Sequence, residues 1–166
     1  MMVDKQAPVA SIAWYKLADL IARGEREKAL SVYRLLAHSF DDKAYALQLE
    51  GDILFALDDN RAKEKYFQAA VLYKKEQRWV DAVAVGQHLL SQQPDDVRLM
   101  FLLVYCYAVL DYADRCESFL QNIVRCQKAE PLDEAYVIEL TQPLLLLAQE
   151  KKWLVELLEK HLDKFV

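Results

Sequence analysis

Two stretches of this chain keep step at an interval of 34 residues. Ala70 aligns with Val104, Tyr73 with Tyr107, Ala82 with Cys116 and Leu89 with Ile123. Tyr66 with Met100 and Ala69 with Leu103 carry the register further. A recurrence of that length in a helical pattern leaves few folds open. One helical hairpin cannot bury its apolar face alone, whereas stacked hairpins share a continuous core. Composition agrees where a sheet would differ. Three glycines and four prolines in 166 residues are too few for the turns of a sheet protein this size. Leu, Ala, Glu, Gln and Lys abound, and all are good helix formers.

The periodicity predicts helices over 9–23, 25–39, 42–57, 60–76, 79–92, 96–110, 112–127, 131–149 and 151–164. On the first, Trp14, Leu17, Ala18 and Ile21 share a face, and Gly24 ends it. Asp41 and Asp42 cap the third helix, Pro94-Asp95-Asp96 closes the fifth and caps the sixth, and Pro131-Leu132-Asp133 opens the eighth, with Asp and Pro where helix starts want them. The connectors are short, so successive helices should pack antiparallel. The segment 60–76 serves both as the second helix of one hairpin and as the first helix of the next, so the register slips there.

These spacings resemble the tetratricopeptide repeat family. Trp14, Leu17, Ala18 and Ile21 stand where that family's first-helix residues stand, and Ala29 and Tyr33 answer its second helix. Leu47, Gly51, Leu54, Ala62, Tyr66 and Ala69 make the next unit; Ala70, Tyr73, Ala82, Leu89 and Pro94 make the following one. The resemblance covers roughly 10–130. It implies an all-α fold, a right-handed superhelix of stacked antiparallel hairpins of about nine helices. The expected layout is a flexible N-terminus over 1–8, a repeat array over 9–130, and a capping hairpin over 131–166 in the same domain.

Several chemistries find no support. Asp58-Asp59-Asn60 opens like a calcium loop, but the sixth and twelfth positions are Lys63 and Ala69 rather than Gly and Glu. Asp59 or Asn60 is better read as a cap for the helix beginning near Arg61. His38, His88 and His161 lie far apart, without partners at metal-site spacing. Neither a glycine-rich phosphate loop nor a dinucleotide fingerprint occurs. Cys106, Cys116 and Cys126 sit among apolar residues and read as small core residues in a reducing, cytoplasmic compartment. The formal charge of −5 argues against a nucleic-acid partner. The apolar runs 101–110 and 143–148 are too short to span a membrane. The expectation is a protein without catalysis, cofactor or metal.

The resemblance implies docking of a peptide or helix of another protein in a concave groove lined by first helices. Carried onto this chain, the groove residues are Tyr15 and Asp19; Tyr45, Gln48, Asp52 and Phe55; Phe67, Val71 and Lys74; and Arg98, Phe101 and Tyr105. Phe55, Phe67, Phe101 and Tyr105 would form an aromatic strip. Lys74 and Arg98 would hold a carboxylate, and Asp19 and Asp52 would meet basic groups. The apolar tail, with Leu144 to Leu147 in succession, either caps the array or forms a homodimer contact. The size, acidity and helical repeats are also similar to those of bacterial type III secretion chaperones. A structural subunit of a larger assembly is the other alternative.

Overall fold

A computed structural model describes residues 7–162, with side chains from Ile12 onward. The described residues form nine α-helices and no strand. They are α1 (Ala7–Ala22), α2 (Arg26–Ala37), α3 (Lys43–Ala56), α4 (Arg61–Lys75), α5 (Trp79–Gln92), α6 (Val97–Val109), α7 (Ala113–Ala129), α8 (Glu134–Ala148) and α9 (Lys152–Leu162). The expected flexible stretch 1–8 falls mostly outside the described residues, and its last two begin α1. The chain divides into two compact units, Met1–Ala69 and Ala70–Val166, and the division falls inside α4. The repeat array expected over 9–130 spans parts of both units.

Two kinds of connection build the chain. In the first, a residue in the left-handed region ends a helix: Gly24 (φ 69°), Asp58 (φ 51°), Gln77 (φ 61°) and Asp111 (φ 62°). The next N–H then reaches back five residues, from Glu25 to Leu20, Asp59 to Leu54, Arg78 to Tyr73 and Tyr112 to Tyr107. This corner satisfies carbonyls that the helix end leaves open. In the second kind, an aspartate caps the following helix. Asp42 accepts from the Tyr45 N–H (2.9 Å), Asp96 from Leu99 (3.1 Å) and Asp133 from Tyr136 (3.3 Å). From α1 to α8 the two kinds alternate as hairpin turn and inter-hairpin link, with one exception.

That exception is α4. It has a left-handed corner at each end, Asp58 before it and Gln77 after it. The corner carbonyls Leu20 and Leu54 lie 34 residues apart, as do Tyr73 and Tyr107, but Leu54 and Tyr73 are separated by 19. One helix and one aspartate-capped link are therefore missing from the strict pattern. This is the physical form of the register slip over 60–76.

In the first unit, α1 packs on α2 and α2 on α3. Leu17, Leu20, Leu30, Leu54 and Tyr66 are buried, with Ala29 and Ala44 fully so. Small residues at such positions let helix axes approach. Gly51 is the sharpest case: a Cβ there would sit 2.8 Å from the Tyr66 ring. Tyr66 therefore passes beneath α3 only because residue 51 has no side chain.

In the second unit α6 is the hub. It packs against α5, α7 and α8, and ten of its thirteen residues are buried. Covered on three sides, it has little outward face left. α7 and α8 each pack against α9, which buries Leu154, Leu158 and Leu162. Lys151 donates to Asp111 at the start of that seam, and Lys160 to Glu117 (2.5 Å) near its end.

Candidate functional site

The acids of the 58–60 corner are structural. The Asp59 carboxylate accepts from the backbone N–H of Arg61 (3.0 Å) and lies 2.7 Å from its guanidinium and 3.4 Å from that of Arg26. Hydrogen bonding from the Arg61 side chain lowers its pKa to about 2. Asp58 occupies the left-handed corner position. Among the described residues no group of three or more His, Cys, Asp or Glu is placed to hold a metal ion. Burial raises the Cys106 thiol to about 11 and Cys116 to about 12, which keeps both protonated and unreactive near neutrality. Cys126 is half-buried, its Sγ 3.6 Å from Asp95.

In the first unit the structure places Tyr45, Gln48, Asp52 and Phe55 on one stripe of α3, as their spacing requires. Tyr45 is 45% exposed and Phe55 52%; Asp52 is exposed and Gln48 half-buried. On α1, Tyr15 is 78% exposed and Asp19 pairs with Arg23 one turn on, at 2.9 Å. Phe67 is half-buried on α4. Sequence reasoning misses Phe40, an aromatic residue in the polar corner between α2 and α3. It stacks on Trp14 (centroids 6.1 Å) and meets the Tyr45 ring edge-on (6.0 Å). Its one sequence signal is a Phe in a loop of Ser and Asp.

Asp52 has a distinctive environment. The Tyr66 hydroxyl donates to its carboxylate at 2.7 Å, while the Tyr66 ring is buried under Gly51. Burial, and then this hydrogen bond to Asp52, raise the Tyr66 pKa. No cation among the described residues pairs with Asp52. Tyr33, the matching residue on α2, donates instead to the backbone carbonyl of Ala46.

In the second unit the expected residues separate. Lys74 Nζ lies 4.2 Å above the Tyr105 ring, and Tyr105 packs against Trp79 with centroids 6.0 Å apart. Burial lowers the Lys74 pKa. Val71 is exposed. Arg98 stands at the first turn of α6, 3.4 Å from Asp96, about 10 Å along the helix from Tyr105. Phe101 does not join them. It is 3% exposed, because α6 is covered by three neighbours, and the expectation that it anchors a partner is corrected to a core role. A cleft of about 890 Å³, lined in part by Asp95, Arg98, Arg125, Leu132 and Tyr136, lies in the same unit. Its arginines pair with its acids, Arg125 with Asp95 (3.9 Å) and Arg98 with Asp96.

No protein-family model matches this chain, and no curated protein does. Among solved structures, it is similar to a "MamA RS-1 ArsTM double mutant" at 20% identity. It is also similar to "MamA 41-end from Desulfovibrio magneticus RS-1" at 19%. Each likeness covers 98% of this chain and 96% of the other, with a TM-score of 0.41. The site described above rests on this chain's own residues. No helix among the described residues is long and apolar enough to cross a membrane.

Proposed function

We propose that this chain is a non-enzymatic protein-interaction module that docks a peptide or helix of a partner protein along the outward faces of its helices. The observation that carries the reading is the α3 stripe, where Tyr45 and Phe55 stand exposed on either side of a carboxylate. Large aromatics at a surface are favoured anchors for a partner, since they bury much area with little loss of side-chain freedom. Tyr15 on α1 extends the aromatic surface of this unit. In the second unit, Lys74, Tyr105 and Trp79 offer a cation and two rings, a seat for a partner's carboxylate. Free thiols on all three cysteines support a cytoplasmic setting.

Photo-crosslinking tests the reading. Benzoylphenylalanine at position 45 or 55 should capture one partner in cells, and the same probe at exposed Glu150 should not. Absence of adducts at 45 and 55, or the same adducts at 150, would sink it.

A second reading is homodimer formation through the C-terminal hairpin. Ile138 and Leu146 are exposed two turns apart on α8. Sedimentation of wild type beside an Ile138→Ser/Leu146→Ser variant tests it. A concentration-dependent dimer lost in the variant supports it, and a monomeric wild type rejects it.

A further inference from the structure

Asp52 differs from the other acids of its surroundings. Glu50 is paired with Lys65 (3.0 Å), and Asp19 with Arg23. Asp52 is exposed, and among the described residues its carboxylate meets a neutral hydroxyl alone. That hydroxyl comes from inside the unit. Gly51 leaves room for the Tyr66 ring to pass under α3, and the ring delivers its O–H to the carboxylate from below. A buried tyrosine cannot follow a moving side chain, so the hydrogen bond holds Asp52 in one orientation. Its remaining lone pairs face solvent between Tyr45 and Phe55. An oriented carboxylate loses less entropy on meeting a cation than a free one does.

We propose that Asp52 is the seat for a lysine or arginine side chain of the docked partner, with apolar side chains of the same segment lying on Phe55 and Tyr45. This rests on the docking reading above and adds the partner's chemistry to it. Helical rise puts Phe55 about 4.5 Å and Tyr45 about 10 Å along the axis from Asp52, on opposite sides. The fitting partner is a basic amphipathic segment: a cation, an apolar residue one turn away, and another two turns away in the other direction. A segment with an acid at the central position is disfavoured by like charge.

The test uses three fluorescent helical peptides of Ala and Gln. Each carries Leu at those two spacings, and they differ only in a central Lys, Gln or Glu. Binding is measured by anisotropy at low and at physiological salt. The Lys peptide should bind about fivefold tighter than the Gln peptide, and the Glu peptide most weakly. Asp52→Asn should abolish the Lys preference while leaving the Gln peptide unchanged. Tyr66→Phe should reduce the preference about twofold; thermal melts report its fold, and Asp52→Asn, at an exposed position, does not depend on that control. If Asp52→Asn keeps the Lys-over-Gln ratio of wild type, the cation seat is wrong and docking stands. If none of the three peptides binds saturably, the inference falls as well, and the crosslinks at 45 and 55 decide separately whether docking does.

Discussion

The two units use the same hairpin corners to opposite ends. The first sets Tyr15, Tyr45 and Phe55 at the surface, with Trp14 and Phe40 stacked at a corner, and buries Tyr33 and Tyr66. The second draws the aromatics of α6 inward, while Tyr112 stays exposed. Phe101 and Tyr107 are buried on α6, and Tyr105 is half-covered by Trp79 and Lys74. The cause is the number of neighbours. α6 has helices on three sides, while the α3 stripe faces solvent. A similar first-helix position is thus core in one unit and surface in the other.

Truncating one aromatic in each unit tests that contrast most strongly. Phe101→Ala should cost about 3–5 kcal/mol of unfolding free energy. Phe55→Ala should stay within about 0.5 kcal/mol, as exposed substitutions do. Urea titrations read both, and equal losses would break the comparison. The glycines give a smaller effect of the same kind. Gly51→Ala drives a Cβ into the Tyr66 ring and should cost about 1–3 kcal/mol. Gly86→Ala meets the end of the Leu103 side chain, which can turn aside, and should cost less. A Gly51→Ala protein as stable as wild type would remove the account of how Tyr66 reaches Asp52.

Much of this fold was legible in the sequence because helix signals are local. The Asp and Pro clusters at 41–42, 94–96 and 131–133 mark three helix starts, at which Asp42, Asp96 and Asp133 supply the caps, and the 34-residue register locates matching corners. The shared role of α4 is visible as a slip between Ala62 and Tyr73. Exposure is harder to read. A sequence shows that Phe55 and Phe101 lie on helix faces, but burial depends on how many helices arrive from elsewhere in the chain. That is why the repeat register assigns Phe101 to a groove when it belongs to the core. The Tyr66 contact with Asp52 leaves no local signal because it joins two helices across a glycine. Gly51 by itself signals only close packing.

Acid separates the units further. The Asp59 pKa in the first unit is depressed to about 2 by its arginine partners. Its contribution is therefore complete above the ordinary carboxylate value of about 4 and is lost as pH falls through about 2. Asp59→Asn should flatten the stability loss between those values, read by circular dichroism. If the acid limb is unchanged, the Arg26 and Arg61 contacts hold nothing in place. The second unit answers at the alkaline end. Cys106 and Cys116, raised by burial, favour the folded state up to about pH 9, and that contribution falls away as pH rises through about 11 to 12. A thiol reagent at pH 8 should label half-buried Cys126 first, and the other two only as the unit opens.

The smallest effect lies at the corners shared by both units. Gly24 adopts its left-handed conformation freely, whereas Gln77 and Asp111 carry a Cβ in the same region. That conformation costs a non-glycine residue about 1 kcal/mol or more. Glycine recovers it but returns part through the greater freedom of its unfolded chain. Gln77→Gly should therefore stabilise the second unit by about 0.5 kcal/mol, and Gly24→Ala should destabilise the first by about 1 kcal/mol. A methyl group at Gly24 would meet no atom within 4 Å, so its cost would reflect backbone strain rather than crowding. Opposite signs for the two substitutions would show that both units turn on the same corner, and equal signs would show that the corners only look alike.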